Sequence, residues 1–408
     1  MRLFSFHSLY IAIILNSQLS VLNSLHAQDW ASRRAEEAGK SPFISRIIEY
    51  KPAPGQFINQ EGIGTRKAAE NIVGGLNGIV SLGGFGGYIV VGFDHTIWND
   101  PGNPYGVDFT VVGNAIPNSS EPGIVMVMRD ENGNGLPDDT WYELKGSNHA
   151  TAVRNYTITY KNPKSDVAKD VAWTDNQGGS GALKKVSAHG QSYYPLPEIF
   201  PDYPQDEVSF TGTLLKVDID EYNPQFIRLP ALAYGYADNY PFSGFTLPFF
   251  PDNPQTVGIL EGNGGDAFDI DWAVDEDGNP VYLEGIDFIK IYTAVNANAD
   301  WLGEISTEIC AVIDVSPDDI LSIPGLTDKP DISVFPNPTS DFINIRLDGR
   351  QVSCVEIWNN SGKLFYKNTA VNTNLLNIPV HNYSAGIYIV CVYDGTRKMV
   401  KRVMKSDE

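Results

Sequence analysis

The sequence predicts an all-β protein: a large antiparallel β-sandwich, jelly-roll-like, followed by a small β-sandwich at the C-terminal end. Three observations predict it. Short β-branched and aromatic runs recur, several alternate in polarity with period two, and each is bounded by Gly, Pro, Asn or Asp. Helical periodicity is scarce, with Arg66–Val73 the best candidate. The 38 Gly and 26 Pro in 408 residues supply turns at close spacing without a collagen-like period. Many short strands joined by long loops form sandwiches rather than helical bundles.

The chain opens with MRLFSFHSLYIAIILNSQLSVLNSLHA, a single Arg2 followed by an apolar stretch from Leu9 to Leu15. This reads as a secretory signal peptide over residues 1–27, cut before Gln28. A membrane anchor needs about 20 apolar residues, and Asn16, Ser17 and Gln18 break the run early. No Cys lies near the cut, which argues against an acylated lipoprotein, and no other segment reads as transmembrane. Residues 28–44 form a polar N-terminal segment.

Residues 45–315 read as the main sandwich. Its clearest strand runs are Tyr88–Phe93, Val107–Val112, Gly123–Met128, Tyr156–Tyr160 and Ile286–Tyr292. The Pro- and Tyr-rich stretch from Tyr193 to Pro254 is too aromatic for a linker and is expected to pack over the sandwich as loops. The run Ser81–Gly87 lacks the Lys and Ser/Thr of a phosphate loop, so its glycines are read as serving close packing. Residues 316–330 are short, polar and Pro-containing, a linker. Residues 331–408 hold a second set of short strands, including Ile332–Phe335, Phe342–Leu347, Val352–Trp358 and Gly386–Tyr393. Charge separates the two parts, since residues 331–408 carry +2 and the remainder −23 of the net −21.

Composition excludes several classes. At 42% hydrophobic the chain is too apolar for disorder, and at 19% charged it is too sparsely charged for a coiled coil. The net charge argues against a nucleic-acid partner. Three cysteines, Cys310, Cys354 and Cys391, are too few for a disulfide scaffold. Cys354 and Cys391 could pair or remain buried thiols.

The sharpest motif is Asp130-Glu-Asn-Gly-Asn-Gly-Leu-Pro-Asp-Asp139. Ca²⁺ takes six to eight hard oxygens at about 2.3–2.6 Å, and alternating oxygen side chains around a glycine turn let one segment supply most of them. Asp130, Asn132, Asn134 and Asp138 are the expected side-chain ligands and Leu136 a carbonyl ligand. Trp141 stands where an EF-hand has Glu, so Asp139 or Glu143 would close the shell. The alternative is an Asx-rich turn between strands. A second acidic turn, Asp275–Pro280, reads as a hairpin turn.

Catalytic signatures are missing: there is no G-x-S-x-G, no H-E-x-x-H and no His pair at metal-ligand spacing. His95 reads as structural. A carboxylate pair of the glycosidase kind stays open, because its separation is a three-dimensional quantity. Trp98, Trp141, Trp173, Trp272 and Trp301 could furnish a stacking platform for a flat ligand.

The tail resembles the type A sorting domain of the type IX secretion system of Bacteroidota. The matching residues are Val334-Phe-Pro-Asn-Pro-Thr339, Asn360-Ser-Gly-Lys363, Ser384-Ala-Gly-Ile-Tyr388 and the basic close Lys398–Arg402. This implies the type IX machinery as a partner and an extracellular or outer-membrane-surface location.

The main domain resembles a group of bacterial secreted proteins called cell surface protein. It does so through Glu49–Phe57, Ser81–Asp94, Val107–Asn114, Glu121–Val127 and Trp301–Glu308. The resemblance implies a β-sandwich found near corrinoid or other uptake systems, with no enzyme activity agreed, and it transfers no ligand residue. The reading is therefore a calcium-stabilised binding protein that captures a small molecule (corrinoid) or a glycan. A polysaccharide hydrolase using an Asp/Glu pair and an adhesive surface protein are the alternatives.

Overall fold

The computed structural model describes residues 33, 40–220, 227–245, 249–315, 332–335, 339–347, 352–359, 363–369, 371, 373, 375–384, 386–393 and 398–405. The expected signal peptide, the linker and the turn at 360–362 lie outside these residues. The chain divides into two compact units, 1–321 and 322–408.

In the first unit a six-stranded antiparallel sheet runs in the order β1 (Arg46–Lys51), β3 (Tyr88–Trp98), β13 (Gly285–Thr293), β5 (Gly123–Met128), β6 (Tyr142–Leu144), β12 (Ala273–Val274). A four-stranded sheet runs β10 (Glu207–Leu214), β7 (Val153–Lys161), β8 (Val171–Asp175), β9 (Ser180–Leu183). Their inner faces share one core, in which Ile89, Val91, Val127 and Ile289 meet Ile158, Tyr160, Val208 and Phe210. Period two decides which residues enter it: Tyr156, Ile158 and Tyr160 are buried while the residues between them face outward. The all-β sandwich read from the sequence is the fold observed.

Smaller sheets complete the unit. β4 (Phe109–Val112) lies between β11 (Asp266–Phe268) and β15 (Ala311–Asp314), and β2 (Val80–Ser81) pairs with β14 (Glu308–Ile309). The helical run is one short helix, α1 (Arg66–Asn71), capped where the Thr65 side chain accepts from the Ala68 N–H.

The first part of the aromatic stretch packs on the sandwich as loops, but Glu207–Leu214 within it is β10, a strand of the sandwich itself. Tyr193, Tyr194, Phe200 and Tyr203 join the main core. The Tyr194 hydroxyl donates to the Pro204 carbonyl and that of Tyr203 to the Pro52 carbonyl, both at 2.7 Å, which lets large rings bury without an orphaned O–H. Gly86, at φ +84°, sits flat against Phe210, where any side chain would collide. His95 bridges the Asp94 and Asp314 carboxylates at 2.8 Å each and is structural. The Asp275 turn is closed by the Asp277 and Asn279 N–H groups donating to Asp275 Oδ1.

In the second unit a three-stranded sheet, β16 (Ile332–Phe335), β17 (Phe342–Leu347), β20 (Leu375–Pro379), accompanies a four-stranded one. The latter runs β19 (Leu364–Asn368), β18 (Cys354–Asn359), β21 (Gly386–Tyr393), β22 (Lys398–Lys405). Ile343, Ile345, Val355, Ile357, Val390 and Val392 share its core. Cys310, Cys354 and Cys391 are all free thiols, so the Cys354–Cys391 pairing does not form.

Long loops are held by buried carboxylates. Asp108 accepts from the Asp100 N–H (3.1 Å) and the Asn103 side-chain amide (3.0 Å) through Oδ1, and from the Ile270 N–H (2.9 Å) through Oδ2. Truncation would orphan three donors, each costing about 1 kcal/mol or more. Asp108→Ala should therefore lose roughly 3 kcal/mol in a denaturant titration, against less than about 0.5 kcal/mol for exposed Asp166→Ala. A loss at Asp108 below 1 kcal/mol would contradict this role.

Candidate functional site

The expected calcium loop joins β5 to β6 and is rooted where Asp287 Oδ2 accepts the Asp130 N–H at 2.8 Å. Asp130 accepts from the Asn134 N–H (3.1 Å) and the Gly135 N–H (2.8 Å). Asn132 Oδ1 accepts from the Asn134 N–H, and Asn134 Oδ1 from the Leu136 N–H. Asp138 receives the Asn132 and Asn134 side-chain amides at 3.1 and 3.0 Å, and Asp139 Oδ2 the Glu131 N–H. Gly133 and Gly135, at φ +69° and +74°, provide the reversals. The loop thus brings Asp130, Asn132, Asn134, Asp138 and Asp139 together, while the Leu136 side chain is 55% exposed. Glu143 does not join them. It turns away to accept from Thr213 Oγ1 at 2.7 Å.

That turn places Glu143 in a cleft of 650 Å³, formed between the six-stranded sheet and β10. Tyr88, Trp141 and Phe210 provide rings, and Lys51, Arg154 and Lys290 provide cations. Lys290 Nζ lies 4.3 Å from the Tyr88 ring centre, and its pKa is lowered by burial. Burial raises the Glu143 carboxyl, whose Oε1 lacks a hydrogen-bond partner and stands 3.5 Å from His149 Nε2, also without one. Thr140 and Trp141 follow the Asp130–Asp139 loop and both line the cleft, so the loop leads into one of its walls. A second concavity of 380 Å³ is apolar, with Ile116 (63% exposed), Tyr234, Val257, Ile259 and Leu260 at its walls.

Sequence reasoning missed a group of buried acids. Glu121, Asp238 and Glu308 approach so that one carboxylate oxygen from each lies within 4.8 Å of the others. Asp238 Oδ1 accepts the Asn114 and Ala115 N–H groups at 2.9 Å each and its Oδ2 the Glu308 N–H at 2.9 Å. Asp266 accepts from the Asn239 and Tyr240 N–H groups. Glu304 accepts the Gln56 N–H. The available signal was acids inside otherwise uncharged runs, as in Gly-Tyr-Ala-Asp238-Asn-Tyr and Thr-Glu308-Ile-Cys.

Comparison with known proteins decides the export route. Residues 333–406 match the family model of the secretion system C-terminal sorting domain. This sorting domain directs type IX secretion to the cell surface or extracellular space and implies contact with that machinery. Among the described residues no helix is long and apolar enough to cross a membrane. No curated protein matches the chain.

Two solved structures are similar in part. The biofilm associated protein BSP domain is 8% identical, covering 72% of this chain and 83% of that one, with TM-score 0.17. Faecalibacterium prausnitzii Beta-glucuronidase is 9% identical, covering 69% of this chain and 45% of that one, with TM-score 0.17. At these TM-scores neither likeness carries an argument.

Glu304 gives a pH dependence with a defined sign. Burial pushes its carboxyl up from 4.5 to about 8, so the folded state keeps a proton that the unfolded chain releases. Its contribution is therefore full below pH 4.5 and is lost as pH rises towards 8. Melting in chelator should show this loss between pH 5 and pH 8, and Glu304→Gln should flatten it. An unchanged slope in the variant would contradict the assignment.

Proposed function

We propose that the protein is an exported surface binding protein that captures a glycan in the Tyr88–Trp141–Glu143 cleft, with calcium in the Asp130–Asp139 loop bracing the Trp141 wall. The cleft carries the reading. Sugars present apolar C–H faces that rings cover and hydroxyls that need donors and acceptors of both kinds. This cleft supplies the rings of Tyr88, Trp141, Phe210 and Tyr292, the cations Lys51, Arg154 and Lys290, and the carboxylates Glu143 and Glu276. Its 650 Å³ falls within the range of small-ligand sites.

The calcium half rests on the loop. Five oxygen-bearing side chains converge there, and a cation would take over the carboxylate oxygens that now receive amide donors. Sorting-domain export supports the surface setting. A second reading, capture of a small molecule with an apolar body such as part of a corrinoid, is favoured by the 380 Å³ apolar concavity.

Glycan-array screening of the full chain, followed by calorimetry, should find a saccharide whose affinity falls about tenfold in Trp141→Ala, near 1.4 kcal/mol. Absence of any saccharide ligand, or undiminished binding by the variant, would refute the cleft assignment. Release of new reducing ends would favour hydrolysis instead.

For the loop, saturation with calcium at 100 times its dissociation constant should stabilise the protein by about 2.7 kcal/mol. Asp130→Asn should lose that gain and weaken saccharide binding. A variant identical to wild type in melting and binding, with and without chelator, would remove calcium from the loop.

A further inference from the structure

The three acids come from distant segments, Glu121 half-buried and the other two fully buried. Glu121 precedes β5, Asp238 lies in the loop leading to β11, and Glu308 begins β14. Asp238 adopts φ +56°, a conformation that non-glycine residues seldom hold. Asp238 and Glu308 are fully buried, and burial pushes all three carboxyl groups up. Among the described residues no ion pair reaches any of them. Three carboxylates packed together without a counter-charge are unstable unless they gain protons or a cation.

The hydrogen bonds around the three acids are unequal. Asp238 is satisfied by three backbone N–H groups. Glu121 Oε1 receives the Ser306 N–H, at 3.3 Å, and Glu308 Oε1 receives the Ser306 hydroxyl at 2.7 Å. Glu308 Oε2 receives nothing, although the residue has no exposed surface. An acceptor sealed from water beside two further carboxylates needs either a proton shared within the cluster or a cation.

We propose that Glu121, Asp238 and Glu308 form a second site for a hard divalent cation such as Ca²⁺. Oxygens bound to Ca²⁺ at 2.3–2.6 Å stand no more than about 5 Å apart, and the three ligand atoms lie within 4.8 Å of one another. The donor set is all oxygen, which disfavours metals that seek nitrogen or sulfur. Two positive charges meet three carboxylates, and the residual negative charge sits where Asp238 already holds three N–H dipoles. The ion would tie the start of β5, the loop at Asp238 and β14 into one knot, and this site is independent of the exposed Asp130–Asp139 loop.

The test uses the full exported chain, stripped with chelator and dialysed against calcium at pH 7.5, with bound calcium counted by mass spectrometry. The background is Asp130→Asn/Asp138→Asn, which removes the surface loop as a calcium ligand. This variant should retain one calcium per chain, and calcium should raise its melting temperature by several degrees. Adding Glu308→Gln should abolish both effects. Glu121→Gln serves as the parallel variant if Glu308→Gln does not fold, folding being judged by circular dichroism. A folded loop variant that binds no calcium would overturn the site, because shared protons would then satisfy the acids. Full stoichiometry in folded Glu308→Gln or Glu121→Gln would overturn it equally. Because the loop is disabled throughout, the result does not depend on whether calcium binds at Asp130.

Discussion

Seven backbone N–H groups outside the strand ladders end on three buried aspartates, Asp108, Asp238 and Asp266. The fold depends on this interaction. A sandwich with connections as long as these would bury loop amides that no strand partner can reach, at a cost of about 1–3 kcal/mol each. One carboxylate has two oxygens and several lone pairs, so it can collect two or three such donors at once. The opposing term is the desolvation of the carboxylate, which is why all three acids are held well above their ordinary range despite accepting N–H bonds.

That economy of loops explains where binding surfaces can arise. Strands β3, β5, β6 and β13 form a stiff floor, and the segment between β5 and β6 leaves it, turns through the Asp130–Asp139 loop and returns as Trp141 and Glu143. Asp287 pins the departing end of this excursion. The cleft is therefore built on the sheet with one wall supplied by this excursion. The sorting domain has its own core and its own sheets, and its contribution is the route out of the cell.

Much of this was legible in the sequence. Gly123–Met128 is a strand with the bounds its composition suggests, and Tyr156, Ile158 and Tyr160 show their buried face through period two. The aromatic stretch from Tyr193 declared itself too costly to leave in water, and the alternating oxygens of Asp130–Asp139 marked a specialised turn. The cleft was not legible, since Tyr88, Glu143, Phe210 and Lys290 are joined only by sheet order. Nor were the acids: Glu121, Asp238 and Glu308 are separated by 117 and 70 positions, and no local pattern announces such a meeting. Of the two residues left open for closing the shell, Glu143 is turned by the strand pleat to Thr213, while Asp139 stays in the loop.

Hydrogen exchange resolved to single amides tests the central claim most directly. If buried carboxylates hold the loops, the amides of Asn114, Ala115, Glu308 and Ile270 should exchange as slowly as those of β5 and β13, opening only with global unfolding. Exchange of these four at the rates of open surface loops, while the strands stay protected, would contradict the account.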